Sequence, residues 1–164
     1  MFSNLSPFTK LHVMISLIGI VSGLVVMFRL LIGRKLNRWT ALFLISTALT
    51  SVTGFFFSFH GVTPAIVVGI ISLIVLAVAI FARYSRHLAG HWRWIYAATA
   101  MIALYFNIFV LIVQLFQKVP ALKALAPTQT EPPFAVTQLV VLALFVLLTI
   151  IAAIRFRGEQ VRAA

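Results

Sequence analysis

Residues 92–116 read WRWIYAATAMIALYFNIFVLIVQLF, an apolar stretch with a polar line along one side. At roughly 100° per residue, seven positions at or just beyond this stretch share one helix face of about 80°: Tyr96, Thr99, Ala103, Asn107, Val110, Gln114 and Gln117. Asn107 falls near the middle, where an unpaired amide in hydrocarbon costs several kcal/mol. The stretch therefore predicts a membrane-spanning helix whose polar face points into a helix bundle.

Four further apolar stretches have the length of about 20 residues that a helix needs to cross a bilayer. They cover residues 11–32, 40–59, 64–82 and 134–154. With 63% hydrophobic and 9% charged residues in a chain of 164, no room remains for a separate soluble domain. We predict an all-α membrane protein, a single transmembrane domain over residues 1–164 built as a bundle of five transmembrane helices.

The positive charges lie almost entirely on one side of the predicted spans. One side holds Lys10, Lys118 and Lys123, and the other holds Arg29, Arg34, Lys35, Arg38, Arg83, Arg86, Arg93, Arg155, Arg157 and Arg162. Because cytoplasmic loops carry the excess of Lys and Arg, we predict an outside N-terminus and a cytoplasmic C-terminus. This topology also accounts for the net charge of +11, so nucleic acid is not an expected partner.

The residue types disfavour several classes of function. The chain has no cysteine, which removes disulfides, thiolate catalysis and thiolate metal sites. Its two acids, Glu131 and Glu159, lie on opposite sides of the predicted membrane, so no carboxylate pair can act together. The predicted hydrocarbon cores hold no ionisable residue, which ranks an oligomeric transporter or channel last.

The amides of the fourth span suggest a binding site. Asn107, Gln114 and Gln117 form a line that leads outward, and Thr50, Ser58 and Gln138 complete a polar cluster on neighbouring spans. Mostly apolar walls with a few placed polar groups are typical of ligand sites. The cluster favours a non-catalytic binding or accessory subunit with an outward-facing pocket for a lipid or small apolar ligand. Interhelical hydrogen bonding alone is the alternative interpretation.

Two histidines suggest a different function. His12 opens the first span and His60 closes the second, so two antiparallel helices bring both to the outer end of the bundle. Paired histidines across a bundle hold b-type haem, and imidazole also binds copper or zinc. The alternative hypothesis is therefore a small redox protein that holds haem or a metal through His12 and His60. Interfacial histidines bonded to water or headgroups are the simpler interpretation.

Gly19 and Gly23 form a GxxxG pair, which lets two helices approach closely in lipid. Packing within the chain and a homo-oligomer seam both account for it. Beyond membrane lipids, the partners are therefore a second copy of the chain or a larger membrane complex. The external connector over residues 118–133 contains four prolines, and residues 121–126 can form one or two amphipathic turns. It acts either as a stiff connector or as a lid.

The segments KVPALKALAPTQTEPPFAVTQ (118–138) and WRWIYAATAMIALYFNIFVLIVQ (92–114) resemble small uncharacterised bacterial polytopic inner-membrane proteins. The resemblance covers most of the chain. It implies a bacterial inner membrane as the location, and no activity or functional residue comes with it.

Overall fold

The computed structural model describes residues 6–34, 37–57 and 64–157, and every regular element among them is helical. The helices are α1 (Pro7–Leu31), α2 (Asn37–Gly54), α3 (Pro64–Ile80), α4 (Trp92–Lys118), α5 (Pro120–Leu125) and α6 (Pro132–Arg157). A π-helical turn, Phe81–Ser85, continues α3. The predicted all-α class is therefore confirmed for the described residues.

Among the described residues, four segments are long and apolar enough to cross a membrane: Pro7–Leu31, Ile66–Ser85, Trp92–Lys118 and Pro132–Phe156. They correspond to α1, to α3 with its π turn, to α4 and to α6, and they indicate a membrane protein. α2 is not among them, because it begins with Asn37 and Arg38 and carries many hydroxyl side chains. Four of the five predicted spans thus have the required length and composition.

The end of α1 is fixed by Gly33, which has a φ of +73°. The Gly33 amide donates to the carbonyl of Leu30 (3.0 Å), and the Arg34 amide donates to the carbonyl of Arg29 (2.8 Å), as in a Schellman cap. A Cβ at Gly33 would lie 3.2 Å from the carbonyl oxygen of Arg155. Glycine therefore serves both the turn and the close approach of the ends of α1 and α6.

α2 ends at Gly54, earlier than the predicted span end at about residue 59. Glycine is a poor helix former, and the next amides bond three rather than four residues back. Phe55 donates to Val52 (3.2 Å) and Phe56 to Thr53 (3.2 Å). The regular α-helix therefore ends before Ser58 and His60, both of which lie outside the described residues.

Consecutive long helices alternate in direction. His12 near the start of α1 contacts Thr53 near the end of α2, and Asn37 at the start of α2 contacts Arg83 in the π turn. α4 and α6 pack antiparallel in the same way. We call the end of the bundle with His12 and Thr53 the histidine end, and the end with Asn37 and Arg83 the arginine end.

The buried apolar side chains lie mostly in the half of the bundle between Asn107 and the arginine end. α4 runs through the middle of this core, which includes Val26, Leu30, Phe43, Leu44, Leu76, Met101, Leu104, Phe145 and Phe156. Towards the histidine end, the described core is a smaller cluster of Ile112, Phe116 and Ala126. Polar contacts therefore have a larger part in holding the histidine half together.

Candidate functional site

His12 is held against α2 at the histidine end. Its Nδ1 lies 2.8 Å from Thr53 Oγ1, and its ring packs edge-on against Phe57 with centroids 5.0 Å apart. The Thr53 hydroxyl donates to the carbonyl of Leu49 at 2.6 Å. Since a hydroxyl has one proton, this network assigns the imidazole proton to His12 Nδ1 and leaves a lone pair on Nε2.

A free Nε2 is the nitrogen that a metal or haem iron would need, because a bond from the other ring nitrogen orients many histidine ligands. The proposed second ligand, His60, lies outside the described residues, so the pair stays a prediction. Within residues 6–34, 37–57 and 64–157, no group of three or more His, Cys, Asp or Glu residues could hold a metal ion.

Asn107 joins three helices near the middle of the bundle. Its Nδ2 donates to Thr47 Oγ1 on α2 at 3.0 Å. The backbone of Gly19 on α1 lies beside this pair, since a Cβ there would be 3.3 Å from Thr47 Oγ1 and 3.5 Å from Asn107 Nδ2. The Nδ2 of the mid-membrane amide predicted from the sequence is thus bonded to a neighbouring helix.

The other amides of the α4 line face different surroundings. Tyr96 and Ala103 on this face are buried, but Gln114 and Gln117 are exposed, so the prediction that the whole face points inward fails at the histidine end. Gln117 Nε2 donates to Gln129 Oε1 in the connector at 3.3 Å. The predicted amide line is therefore divided between the bundle interior, the surface and the connector.

Gln138 on α6 is buried against α4. Its Nε2 donates to the carbonyl of Phe109 at 3.3 Å. Its Oε1 is buried and has no hydrogen-bond partner. Phe109 lies two residues beyond Asn107 along α4, so this unpartnered oxygen is about 3 Å closer to the histidine end than the Asn107 level.

Thr50 on α2 carries the second unpartnered oxygen of this half. Its Oγ1 is buried and makes no hydrogen bond. The neighbouring hydroxyls are engaged, with Ser51 donating to Ser72 on α3 at 3.3 Å and Thr47 accepting from Asn107. Of the six predicted ligand residues, Thr50 and Gln138 thus retain unused buried acceptors, while Ser58 falls outside the described residues.

Glu131 closes the connector just before α6. Its carboxylate accepts from the amide and hydroxyl of Thr128 (3.1 and 2.9 Å) and from the amide of Thr130 (3.1 Å). Desolvation acts to raise the pKa of Glu131, but these hydrogen bonds outweigh it and hold the pKa below its ordinary value. The only acid among the described residues is therefore committed to shaping the connector.

Two residues of the histidine end were missed by sequence reasoning. Thr53 positions His12, and Gln129 ties the connector to α4 through a bond from its Nε2 to the carbonyl of Val113 at 2.9 Å. Thr53 could have been found from the sequence, because residues equally far from the connection between two antiparallel helices lie at the same level as each other. Nothing in the sequence distinguishes Gln129, whose position depends on a backbone φ of +62°.

No protein-family model, curated protein or solved structure matches the chain. Function must therefore be argued from the side chains themselves. In the described part of the histidine half, the hydrogen-bonding side chains within the bundle include an imidazole, hydroxyls and amides. Mostly apolar walls with a few such groups are typical of ligand sites.

Proposed function

We propose that the chain is a non-catalytic binding or accessory subunit of a bacterial inner membrane, and that it holds a lipid or small apolar ligand in its histidine half. The proposal is carried by two buried oxygens, Thr50 Oγ1 and Gln138 Oε1, for which the described residues supply no hydrogen-bond partner. A buried polar atom without a partner costs about 1–3 kcal/mol. A bound molecule with a hydroxyl or amide donor and an apolar body would remove that cost.

The proposal includes α2 as the fifth membrane span. Its 18 residues extend about 27 Å, close to the thickness of the hydrocarbon core. Asn37 at its start lies level with the π turn after α3, and Thr53 near its end lies level with the start of α1. Hydroxyls that bond back to their own helix, such as that of Ser46, lower the cost of placing this helix in lipid.

The arginine end faces the cytoplasm in this proposal, because ten of the 13 basic residues lie on that side. Since the chain has no cysteine, single cysteines report the topology directly. We expect a membrane-impermeant maleimide to label Arg38→Cys and Ala89→Cys only in inverted vesicles, and Phe56→Cys and Lys123→Cys in intact cells. Labelling of Arg38 and Phe56 positions from the same side would contradict a crossing by α2.

A matched pair of substitutions tests the ligand. Thr50→Val removes the unpartnered hydroxyl while keeping the side-chain shape. Thr149→Val removes a hydroxyl that already bonds its own helix, at the carbonyl of Phe145 (2.6 Å). We expect purified Thr50→Val protein to retain about fivefold less of a specific molecule in a mass-spectrometric extract, the value of one hydrogen bond. The Thr149→Val protein should retain as much as wild type.

The stability of the same variants shows whether any molecule binds at Thr50. If no molecule binds there, Thr50→Val replaces an unsatisfied hydroxyl by a methyl group, and the variant becomes as stable as wild type or more stable. That result, together with equal extracts from all three proteins, would refute the binding proposal. An absorbance spectrum before and after dithionite tests the redox alternative, since a Soret band lost in His12→Ala would establish haem as the ligand.

A further inference from the structure

A cleft opens at the arginine end, between the last turn of α1, the start of α2 and the π turn after α3. Arg29, Arg34 and Arg83 line it, together with the aromatic rings of Tyr96 and Phe156. The cleft is too narrow to hold a water molecule inside, so a larger group would bind at its mouth. Three arginines thus line one cleft, and none of the residues that the structure describes contributes a carboxylate to it.

Arg83 is the most buried member of this cluster, with 9% of its surface exposed. Its Nη2 donates to Asn37 Oδ1 at 2.7 Å, and its guanidinium lies 5.2 Å from the centre of the Tyr96 ring. Both partners are neutral. Burying the charge of Arg83 is therefore costly unless an opposite charge accompanies it. Arg83 also lies in a π-helical turn, a geometry often found at functional positions.

Arg29 and Arg34 extend the positive charge from the interior to the surface. Arg29 Nε is buried and has no hydrogen-bond partner. Arg34 follows the cap of α1 and is exposed at the rim of the cleft. Thr40 in the first turns of α2 also lines the cleft, so the positive end of that helix dipole lies near it. The three arginines thus reach the cleft from α1 and from the π turn.

Three other arginines at this end make contacts outside the cleft. Arg86 lies over the Trp92 ring at 5.2 Å, and Arg155 donates to a carbonyl of α1 at 3.1 Å. Arg93 donates from Nε to the carbonyl of Leu88 at 2.9 Å, while its Nη1 is buried without a hydrogen-bond partner. Arg29, Arg34 and Arg83 differ from these three in lining one cleft together.

We propose that this cleft binds a phosphate group, with Arg29 and Arg34 contacting its oxygens and Arg83 supplying charge from beneath. Guanidinium groups match phosphate geometry, and basic pockets between membrane helices bind anionic lipid headgroups. The phosphate belongs either to an anionic lipid or to free phosphate, and both present the same oxygens. This site is separate from the ligand site of the histidine half and does not depend on it.

The test compares two exposed arginines of the same end. Arg34 lines the cleft, whereas Arg38 is exposed on α2 and does not. Arg34→Gln and Arg38→Gln each remove one positive charge from the full chain in neutral detergent micelles. Native mass spectrometry would count bound phosphatidylglycerol added to the micelles, with phosphatidylcholine as the neutral probe. We expect Arg34→Gln to weaken phosphatidylglycerol binding about tenfold and Arg38→Gln to change it less than twofold.

Equal losses in the two variants would overturn the proposal, because diffuse electrostatic attraction to the basic end explains them. Equal binding of phosphatidylcholine and phosphatidylglycerol would also overturn it, because binding would then not depend on the anionic charge. Arg29→Gln gives a second variant with the same expectation as Arg34→Gln. Competition by inorganic phosphate identifies free phosphate as a ligand, and its failure to compete identifies the lipid headgroup.

The sequence contains one further acid that could supply the missing charge. Glu159 lies outside the described residues and follows α6 by only two positions. We expect Glu159→Gln to leave phosphatidylglycerol binding unchanged. Phosphatidylglycerol binding by Glu159→Gln but not by wild type would make that carboxylate the occupant of the cleft and refute a phosphate site in the natural chain.

Discussion

Gly23→Ala should destabilise the fold more than Gly19→Ala, the alanine substitution at the other glycine of α1. A Cβ at Gly23 would lie 2.6 Å from Leu104 Cδ1 and 2.8 Å from Phe43 Cε2. Carbon atoms pack favourably at about 3.5–4.0 Å, so the overlap is about 1 Å. Leu104 and Phe43 are each only 1% exposed, so neither side chain can move out of the bundle to relieve it.

The magnitude follows from two opposing effects. Adding a methylene-sized group to a packed core costs about 1–3 kcal/mol, and replacing glycine by alanine within a helix returns about 0.5–1 kcal/mol. We expect Gly23→Ala to lower the free energy of unfolding by about 1–2 kcal/mol. Gly19→Ala is the matched control, because its Cβ would meet hydroxyl oxygens at 3.3 Å. Its effect should lie within about 0.5 kcal/mol of zero.

The assay is reversible unfolding of the purified chain in mixed micelles, followed by circular dichroism, with the molar mass measured on the same samples. If these glycines form a homo-oligomer seam, a different result is expected. Both alanine variants then dissociate, so the measured molar mass falls while the stability of the single chain is unchanged. Wild-type stability in Gly23→Ala, or an equal loss in Gly19→Ala, would refute the packing argument.

Two further predictions concern single polar contacts. A double-mutant cycle with Asn107→Leu and Thr47→Val should give a coupling energy of about 0.6 kcal/mol, the average for hydrogen bonds between membrane helices. Purely additive losses would show that the bond contributes nothing. Because the pKa of Glu131 is lowered, the stability that its carboxylate gives to the connector is complete above the ordinary pKa of 4.5. That stability is lost as the pH falls through the lowered pKa. Amide exchange protection at Thr128 should fall in that acid range in wild type and stay constant in Glu131→Gln; constant protection in both would contradict it.

Much of the helical layout was predictable because apolar runs of spanning length leave few alternatives in a chain with so few charges. The close approach at Gly19 and Gly23 was also predictable, since glycine pairs remove the side chains that keep helices apart. Both glycines are buried against α2 and α4 of the same chain. The packing interpretation thus has a structural basis within the chain, and the homo-oligomer seam stays a prediction.

Hydrogen-bond partners were harder to predict, because periodicity gives the angle of a side chain around its helix but not the neighbour it meets. Asn107 and Gln117 share a face by their spacing, yet one bonds to α2 and the other to the connector. The spacing of the two amides along α4 does not show that a helix faces one of them and the connector faces the other.

The burial of Arg83 could have been inferred in part. Ser72, Leu76 and Ala79 form a buried stripe on α3, and Arg83 continues it four residues later. Sequence analysis assigned this arginine to the basic side of the membrane, where long side chains usually extend to the headgroups. The π turn keeps it against Asn37 and Tyr96 instead, a local geometry that residue spacing does not reveal.

The two proposed sites bind by different interactions, charge at the arginine end and neutral hydrogen bonds in the histidine half. The salt dependence of binding therefore distinguishes them. Binding at the arginine end depends on charge, which at the mouth of the cleft is screened by salt over about 8 Å at physiological ionic strength. The histidine half offers Thr50 and Gln138, which are neutral and buried, so salt has little effect on a hydrogen bond there. Raising the salt concentration should therefore release an anionic headgroup from Arg34 while leaving a neutral ligand of the histidine half in place. A single lipid bound across both ends would instead show an intermediate salt dependence that either Arg34→Gln or Thr50→Val reduces.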